Sequence, residues 1–165
     1  MKLYHASNCV IEFPDIHHSR KNLDFGVGFY LTCLYEQALF YTERFLLRGQ
    51  RAYVNMYELD EQSLHRFKSK VFQHYDKEWL EYVAQCRRGI VSAFDLVEGG
   101  VANDKVFNTI DLYFAGIINE KEALGRLSFE HPNHQLCILN QEILQSHLRF
   151  VGFKEITRGT KDVSE

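Results

Sequence analysis

Asp24-Phe25-Gly26-Val27-Gly28-Phe29-Tyr30-Leu31-Thr32 is the stretch on which the reading of this chain turns. From Val27 onward the residues alternate, with Val27, Phe29 and Leu31 on one side and Gly28, Tyr30 and Thr32 on the other. That period of two is a strand. Directly after it the period changes. Leu34, Ala38, Tyr41 and Phe45 recur at steps of four, three and four, which is one face of a helix over 34–48 with Gly49 as its stop. A strand followed at once by an amphipathic helix sets the class as mixed.

Working outward, Leu3 to Ala6 reads as a short first strand, followed by a polar loop from about Asn8 to Asp24. Ala52 to Leu59 is a strand rich in Tyr, Val and Met. Asp76 caps a helix through Arg88 with Trp79, Tyr82, Val83 and Cys86 inward. Phe94 to Val97 is a short strand, and helices follow over 103–115 and 119–127, the second opened by the capping pair Asn119 and Glu122. Gln135 to Leu139 is a strand, Asn140 caps a short helix over 141–147, and a last strand covers 150–156. The elements lack a regular βαβ alternation, so the expected class is α+β rather than a doubly wound sheet. Residues 1–156 are expected to form a single domain, with 157–165 as a polar tail.

The 165 residues fit one domain, and 45% of them are hydrophobic, which excludes a disordered chain. Thirteen Phe and nine Tyr make the chain rich in aromatics. A net charge of −3 argues against a bulk electrostatic grip on nucleic acid. Arg66, Lys68 and Lys70 read as a solvated face. The four cysteines form no C-x-x-C pair, and Cys33, Cys86 and Cys137 lie in apolar stretches as buried thiols. No apolar targeting region opens the chain, and no stretch approaches a membrane span. The expectation is a cytoplasmic protein with no membrane partner.

Three separated segments carry candidate chemistry. They are Leu3-Tyr4-His5-Ala6-Ser7, then Asp24 to Thr32 with Gln37-Ala38 behind it, then Asn133-His134-Gln135-Leu136-Cys137-Ile138-Leu139. Together these resemble the ADP-ribosyltransferase superfamily, in the branch of the poly(ADP-ribose) polymerases and diphtheria-like toxins, whose H-Y-E signature is spread over three strands in this order. More closely, the chain is similar to a small bacterial family of unassigned function within that superfamily. That family carries an L-Y-H-x-S strand, then D-F-G-x-G-F-Y-x-T and Q-A. The resemblance runs through Asp95-Leu96-Val97, Gly99 and Ala102-Asn103-Asp104.

The resemblance implies a split antiparallel β-sheet core with flanking helices, and NAD as co-substrate with no metal. His5 would hydrogen-bond a ribose hydroxyl, the Ala6 backbone would hold the nicotinamide carboxamide, and Ser7 would support that contact. Tyr30 would stack on the nicotinamide ring with Tyr41 opposite, Gly28 would let the strand approach a ligand or a neighbour, and Gln135 stands where the signature has its catalytic glutamate. Apart from the resemblance, Arg20 and Lys21 in the long first loop are readable as contacts to the NAD pyrophosphate or as solvated charge. The implied reaction is mono-ADP-ribosyl transfer to a macromolecular acceptor, protein or nucleic acid, by a toxin or regulatory modifier with a neutralising protein partner. Breaking the nicotinamide bond leaves an oxocarbenium-like ribose, so flat aromatic rings would hold the leaving group and a nearby carboxylate would stabilise the cation and orient the ribose hydroxyl. Two departures stand out. Ala6 replaces a usual glycine, and Gln135 replaces a carboxylate with an amide that accepts hydrogen bonds but cannot act as a base.

Competing readings remain open at this level. His5 is also readable as a satisfied histidine at a strand end, Tyr30 and Tyr41 as core aromatics, and Gln135 as an internal hydrogen-bonder. Gly26-x-Gly28 lacks the third glycine of a Rossmann loop. His17-His18 and His131-Pro132-Asn133-His134 lack metal-ligand company and read as surface loops. Asp104 is readable as a helix cap. Beside the enzyme stand two alternatives: a weakened NAD or ADP-ribose binding module, and a protein-interaction domain without nucleotide.

Overall fold

The computed structural model describes residues 1–18, 23–128 and 133–159. The fold is mixed α+β, with two sheets and five α-helices among the described residues. The chain divides into two compact units, the first formed by Met1–Pro14, Leu31–Leu64 and the described part of Glu142–Glu165. The second comprises the described parts of Asp15–Tyr30 and His65–Gln141.

The first unit is built on a three-stranded sheet in the order β1-β3-β7, from β1 (Lys2–Ser7), β3 (Ala52–Leu59) and β7 (Leu148–Ile156). Both pairings are antiparallel, and His5 lies opposite Asn55. Beyond β1 the backbone of Tyr4 exchanges hydrogen bonds with Thr32 at 2.8 and 2.9 Å. Helix α1 (Tyr35–Leu47) buries Ala38 against Ala52, Val54 and Ile156, with Tyr4, Tyr35 and Phe45 around them. The expected helix face is therefore shifted. Its buried residues are Ala38 and Thr42, while Leu34 is the exposed N-cap. Thr42 tolerates burial because its hydroxyl donates to the Leu39 carbonyl one turn back, at 2.6 Å. The described start of the tail is anchored too, since Arg158 donates Nη2 to the Leu46 carbonyl at 3.0 Å.

One polar side chain organises the loop after β1. Asn55 is fully buried on β3, and its Oδ1 accepts from the Ile11 N–H at 2.9 Å. Its Nδ2 donates to the Cys9 and His5 carbonyls at 3.2 and 3.4 Å. Two residues further along β3, the Tyr57 hydroxyl donates to the Ile11 carbonyl at 2.6 Å. Both peptide groups of Ile11 are thus held by side chains.

The second unit carries a four-stranded sheet in the order β2-β6-β5-β4, where β2 is Phe29–Leu31, β4 is Ser69–Val71, β5 is Leu96–Gly99 and β6 is Gln135–Ile138. The chain leaves this unit within β2. Pair β5–β6 is antiparallel, and the short edge strand β4 joins β5 in parallel, beside the antiparallel core that the resemblance implies. Strand β4 has no counterpart in the sequence reading. It is three residues long and none of them is buried, so no alternation marks it. Helices α2 (Lys77–Arg87), α3 (Asp104–Phe114) and α4 (Glu120–Leu127) supply the core with Trp79, Leu80, Val83, Val106, Ile110, Ala123 and Leu127. Their N-termini are capped as side-chain chemistry demands: Asp76 accepts from Trp79 N–H, and Asn119 and Glu122 complete a capping box. At α3 the cap is Asn103, which accepts from Val106 N–H, and Asp104 is the first helical residue. The short α5 (Gln141–Ser146) follows Asn140, whose amide donates to Asp95 at 3.0 Å.

Candidate functional site

The sequence-predicted residues fall on the expected strands: His5, Ala6 and Ser7 on β1, Tyr30 on β2, and Gln135 at the start of β6. His5, Ala6, Ser7 and Tyr41 belong to the first unit, and Gly28, Tyr30 and Gln135 to the second. Arg20, like Lys21, lies outside the described residues.

In the first unit Ala6 is buried opposite Val54, and the His5 carbonyl is one of the acceptors held by Asn55. Ser7 shapes the following turn: its Oγ accepts from the Cys9 N–H at 3.0 Å and donates to the Cys9 carbonyl at 2.8 Å. Tyr41 is half-buried on α1, and the Arg44 guanidinium lies 5.8 Å from its ring centroid.

In the second unit the local sequence explains the placement of Tyr30. Gly26 turns the chain with φ at +92°, a conformation side chains resist. Tyr30 then reaches back over that turn. Its hydroxyl donates to the Gly26 carbonyl at 2.6 Å and accepts from the Phe25 N–H at 3.1 Å. Burial, reinforced by the neighbouring Cys137 thiol, pushes the phenol's pKa far above its ordinary range. The ring packs against the core of this unit. Gly28 has a different reason to lack a side chain. A Cβ there would meet Cys137 Sγ and the Ile138 carbonyl oxygen, each at 2.6 Å, so β2 lies directly on β6.

Gln135 and Cys137 alternate along β6, so the glutamine and the thiol beside Tyr30 share one face of the strand. Gln135 is 8% exposed. Its Nε2 donates to the Gly100 carbonyl at 3.1 Å and makes a longer contact, 3.5 Å, to Asp24 Oδ2. Asp24 also takes the Ala102 N–H on Oδ2 at 3.3 Å, and its Oδ1 takes the Arg87 guanidinium. No described residue hydrogen-bonds to Gln135 Oε1.

Asp24, Arg87 and Asn55 are the polar residues that local reading left without a role. Only an aspartate heading a strand motif and a basic residue ending a helix were visible for the first two. Two other expectations are corrected. Cys33 is exposed rather than buried, because it falls beyond the end of β2. His134 is not a plain surface-loop residue, since its Nε2 pairs with Glu98 Oε1 at 2.7 Å and it is largely buried. His131 and Pro132 of that loop lie outside the described residues.

Two clefts of about 550 and 540 Å³ open elsewhere, one around Leu59, His147 and Arg149, the other around Gly26, Ile90, Asp95 and Leu139. None of the described candidate side chains, from His5 to Gln135, lines either, whereas Gly26, Val27 and Leu139 of the motif segments line the second. Among the described residues no cluster of three or more His, Cys, Asp or Glu side chains is placed to hold a metal ion. No helix among them is long and apolar enough to cross a membrane.

No curated protein and no solved structure matches this chain. A family model described as protein of unknown function (DUF3990) matches residues 1–150, nearly the whole length. The chain belongs to the DUF3990 family.

Proposed function

We propose that this protein binds NAD and transfers a single ADP-ribose to a macromolecular acceptor, releasing nicotinamide. The observation that carries the reading is order. The histidine, tyrosine and glutamine of the motif set lie on β1, β2 and β6, three separate strands of an α+β chain, in the succession of the H-Y-E signature. The chemistry assigned to each follows from its side chain. An imidazole such as that of His5 can hydrogen-bond a ribose hydroxyl, an aromatic ring such as that of Tyr30 can support a nicotinamide, and a carboxamide oxygen such as Gln135 Oε1 can accept from a ribose hydroxyl as the cation develops.

A second reading, NAD binding without turnover, is favoured by Gln135 itself. Its Nε2 is engaged with the Gly100 carbonyl and Asp24, and an amide carries no full negative charge to stabilise an oxocarbenium ion. Both readings keep NAD as ligand.

Calorimetry with NAD and a nicotinamide-release assay with protein and nucleic-acid acceptors separate them. Binding with release supports transfer, binding without release supports the second reading, and no binding removes both. His5→Ala is the suitable variant, because Tyr30→Phe keeps the ring and removes the hydroxyl that ties residues 25 and 26. Tyr30→Ala would empty part of the core and untie the 25–26 turn as well, so it would report on folding before it reported on ligand.

A further inference from the structure

Position 135 carries glutamine where the resemblance expects glutamate, and its surroundings give a physical reason. The two groups facing its Nε2 are the Gly100 carbonyl and the Asp24 carboxylate, and both can only accept. The amide must therefore turn its N–H₂ toward them, which sends Oε1 the other way. Asp24 cannot swing aside. Arg87 Nε and Nη2 hold its Oδ1 at 3.2 and 2.8 Å, and the Ala102 N–H holds its Oδ2. Among the described residues, Arg87 also pairs with Asp111 on α3, 3.6 Å from its Nη1.

We propose that Asp24, anchored by Arg87, is a positioning residue for Gln135: it fixes the carboxamide with Oε1 as an outward, accept-only group and makes the position incompatible with an ionised glutamate. The inference rests on the reading above in so far as the ligand met by Oε1 is the ribose of NAD. The geometric part stands on Asp24, Gly100, Arg87 and Gln135 alone.

An ionised carboxyl at 135 would face one carboxylate and one carbonyl, neither of which can donate to it. Its folded-state pKa would rise above the ordinary value of about 4.3. The sign follows: its contribution to stability is intact below that ordinary value and is lost as pH rises through the raised one. The test is urea unfolding of the full chain at pH 5 and pH 8, with wild type, Gln135→Glu, Gln135→Met, and Gln135→Glu combined with Asp24→Asn. Gln135→Glu is expected to lose at least tenfold more of its folding equilibrium constant between the two pH values than wild type does. Gln135→Met should follow the wild-type pH profile, and adding Asp24→Asn should remove most of the extra loss. A Gln135→Glu profile parallel to wild type overturns the proposal. So does a double variant that keeps the whole loss. If Gln135→Glu fails to fold at either pH, recovery of folding with Asp24→Asn supports the proposal, and continued failure overturns it when Asp24→Asn alone, the control for the stranded Arg87, folds. NAD titration of the same proteins reads the ligand separately. A wild type that binds no NAD removes the proposed function, while the unfolding series still decides whether Asp24 positions Gln135.

Discussion

Arg87 donates through both Nε and Nη2 to a single oxygen of Asp24, at 3.2 and 2.8 Å, with both side chains about nine-tenths buried. The pair ties the end of α2 to the segment that opens β2. It leaves Oδ2 for the Ala102 N–H and the Gln135 amide. The Arg87 guanidinium also lies 4.0 Å from the Phe107 ring centroid, so its flat face is covered by α3. Removing one partner of a buried pair strands the other charge. Arg87→Ala should therefore cost about 3–5 kcal/mol, measured as the loss of unfolding free energy in urea. A cost below about 1 kcal/mol would place this pair with ordinary surface ion pairs.

Asn55→Ala should destabilise by about 2 kcal/mol, because it strands an Ile11 N–H and two carbonyls that the buried amide satisfies. The loss should be accompanied by faster limited proteolysis within residues 8–14. Unchanged cleavage there would mean that Tyr57 holds the loop unaided.

Gly28→Ala should cost about 1–3 kcal/mol through overpacking against β6. Adding Cys137→Ala should recover only part of it. The sulfur is one obstacle at 2.6 Å, but the Ile138 carbonyl oxygen is another at the same distance and belongs to the backbone. Full recovery would show that the strands can part at little cost.

Burial raises the pKa of the Tyr30, Tyr57 and Tyr82 hydroxyls above the ordinary tyrosine value. In the unfolded chain they ionise near 10. Their contribution is thus complete below about pH 10 and is lost as pH climbs through the raised values. Unfolding free energy should fall steeply above pH 10, and ultraviolet titration should show these phenols ionising together with unfolding. Early, independent ionisation of all nine tyrosines would contradict the packing.

Cys9 and Cys33 are exposed, whereas Cys86 and Cys137 are buried, and burial pushes both of their thiol pKa values up. Since the thiolate is the reactive form, a disulfide reagent at neutral pH should modify two thiols quickly and the other two only in denaturant. Four fast thiols would refute the burial of Cys86 and Cys137.

What local pattern could show, it showed. The period change after Thr32 located β2 and α1, and Asp76 and the Asn119–Glu122 pair marked helix starts that their own backbone N–H groups require. Such signals lie within a few residues of their cause. Strand β4 has no such signal, because it exists through pairing with β5 some 27 residues away. Asp24, Arg87 and Gln135 span more than a hundred residues, and no spacing rule connects them. Thr42 and Asn55 carry no local signal of burial. Each is buried because a specific carbonyl or N–H completes its hydrogen bonds, which is a tertiary fact.

Ile11 has the hydrogen bonding of a strand residue without having a strand beside it. The Asn55 amide oxygen stands in for a neighbouring carbonyl and the Tyr57 hydroxyl for a neighbouring N–H. The loop after Ser7 therefore has a fixed address on the sheet even though it has no regular structure of its own. Whatever molecule reaches that loop meets a contour already cast. The ordering entropy of the segment is met at folding rather than at each encounter, so recognition there can be selective without first having to be moulded.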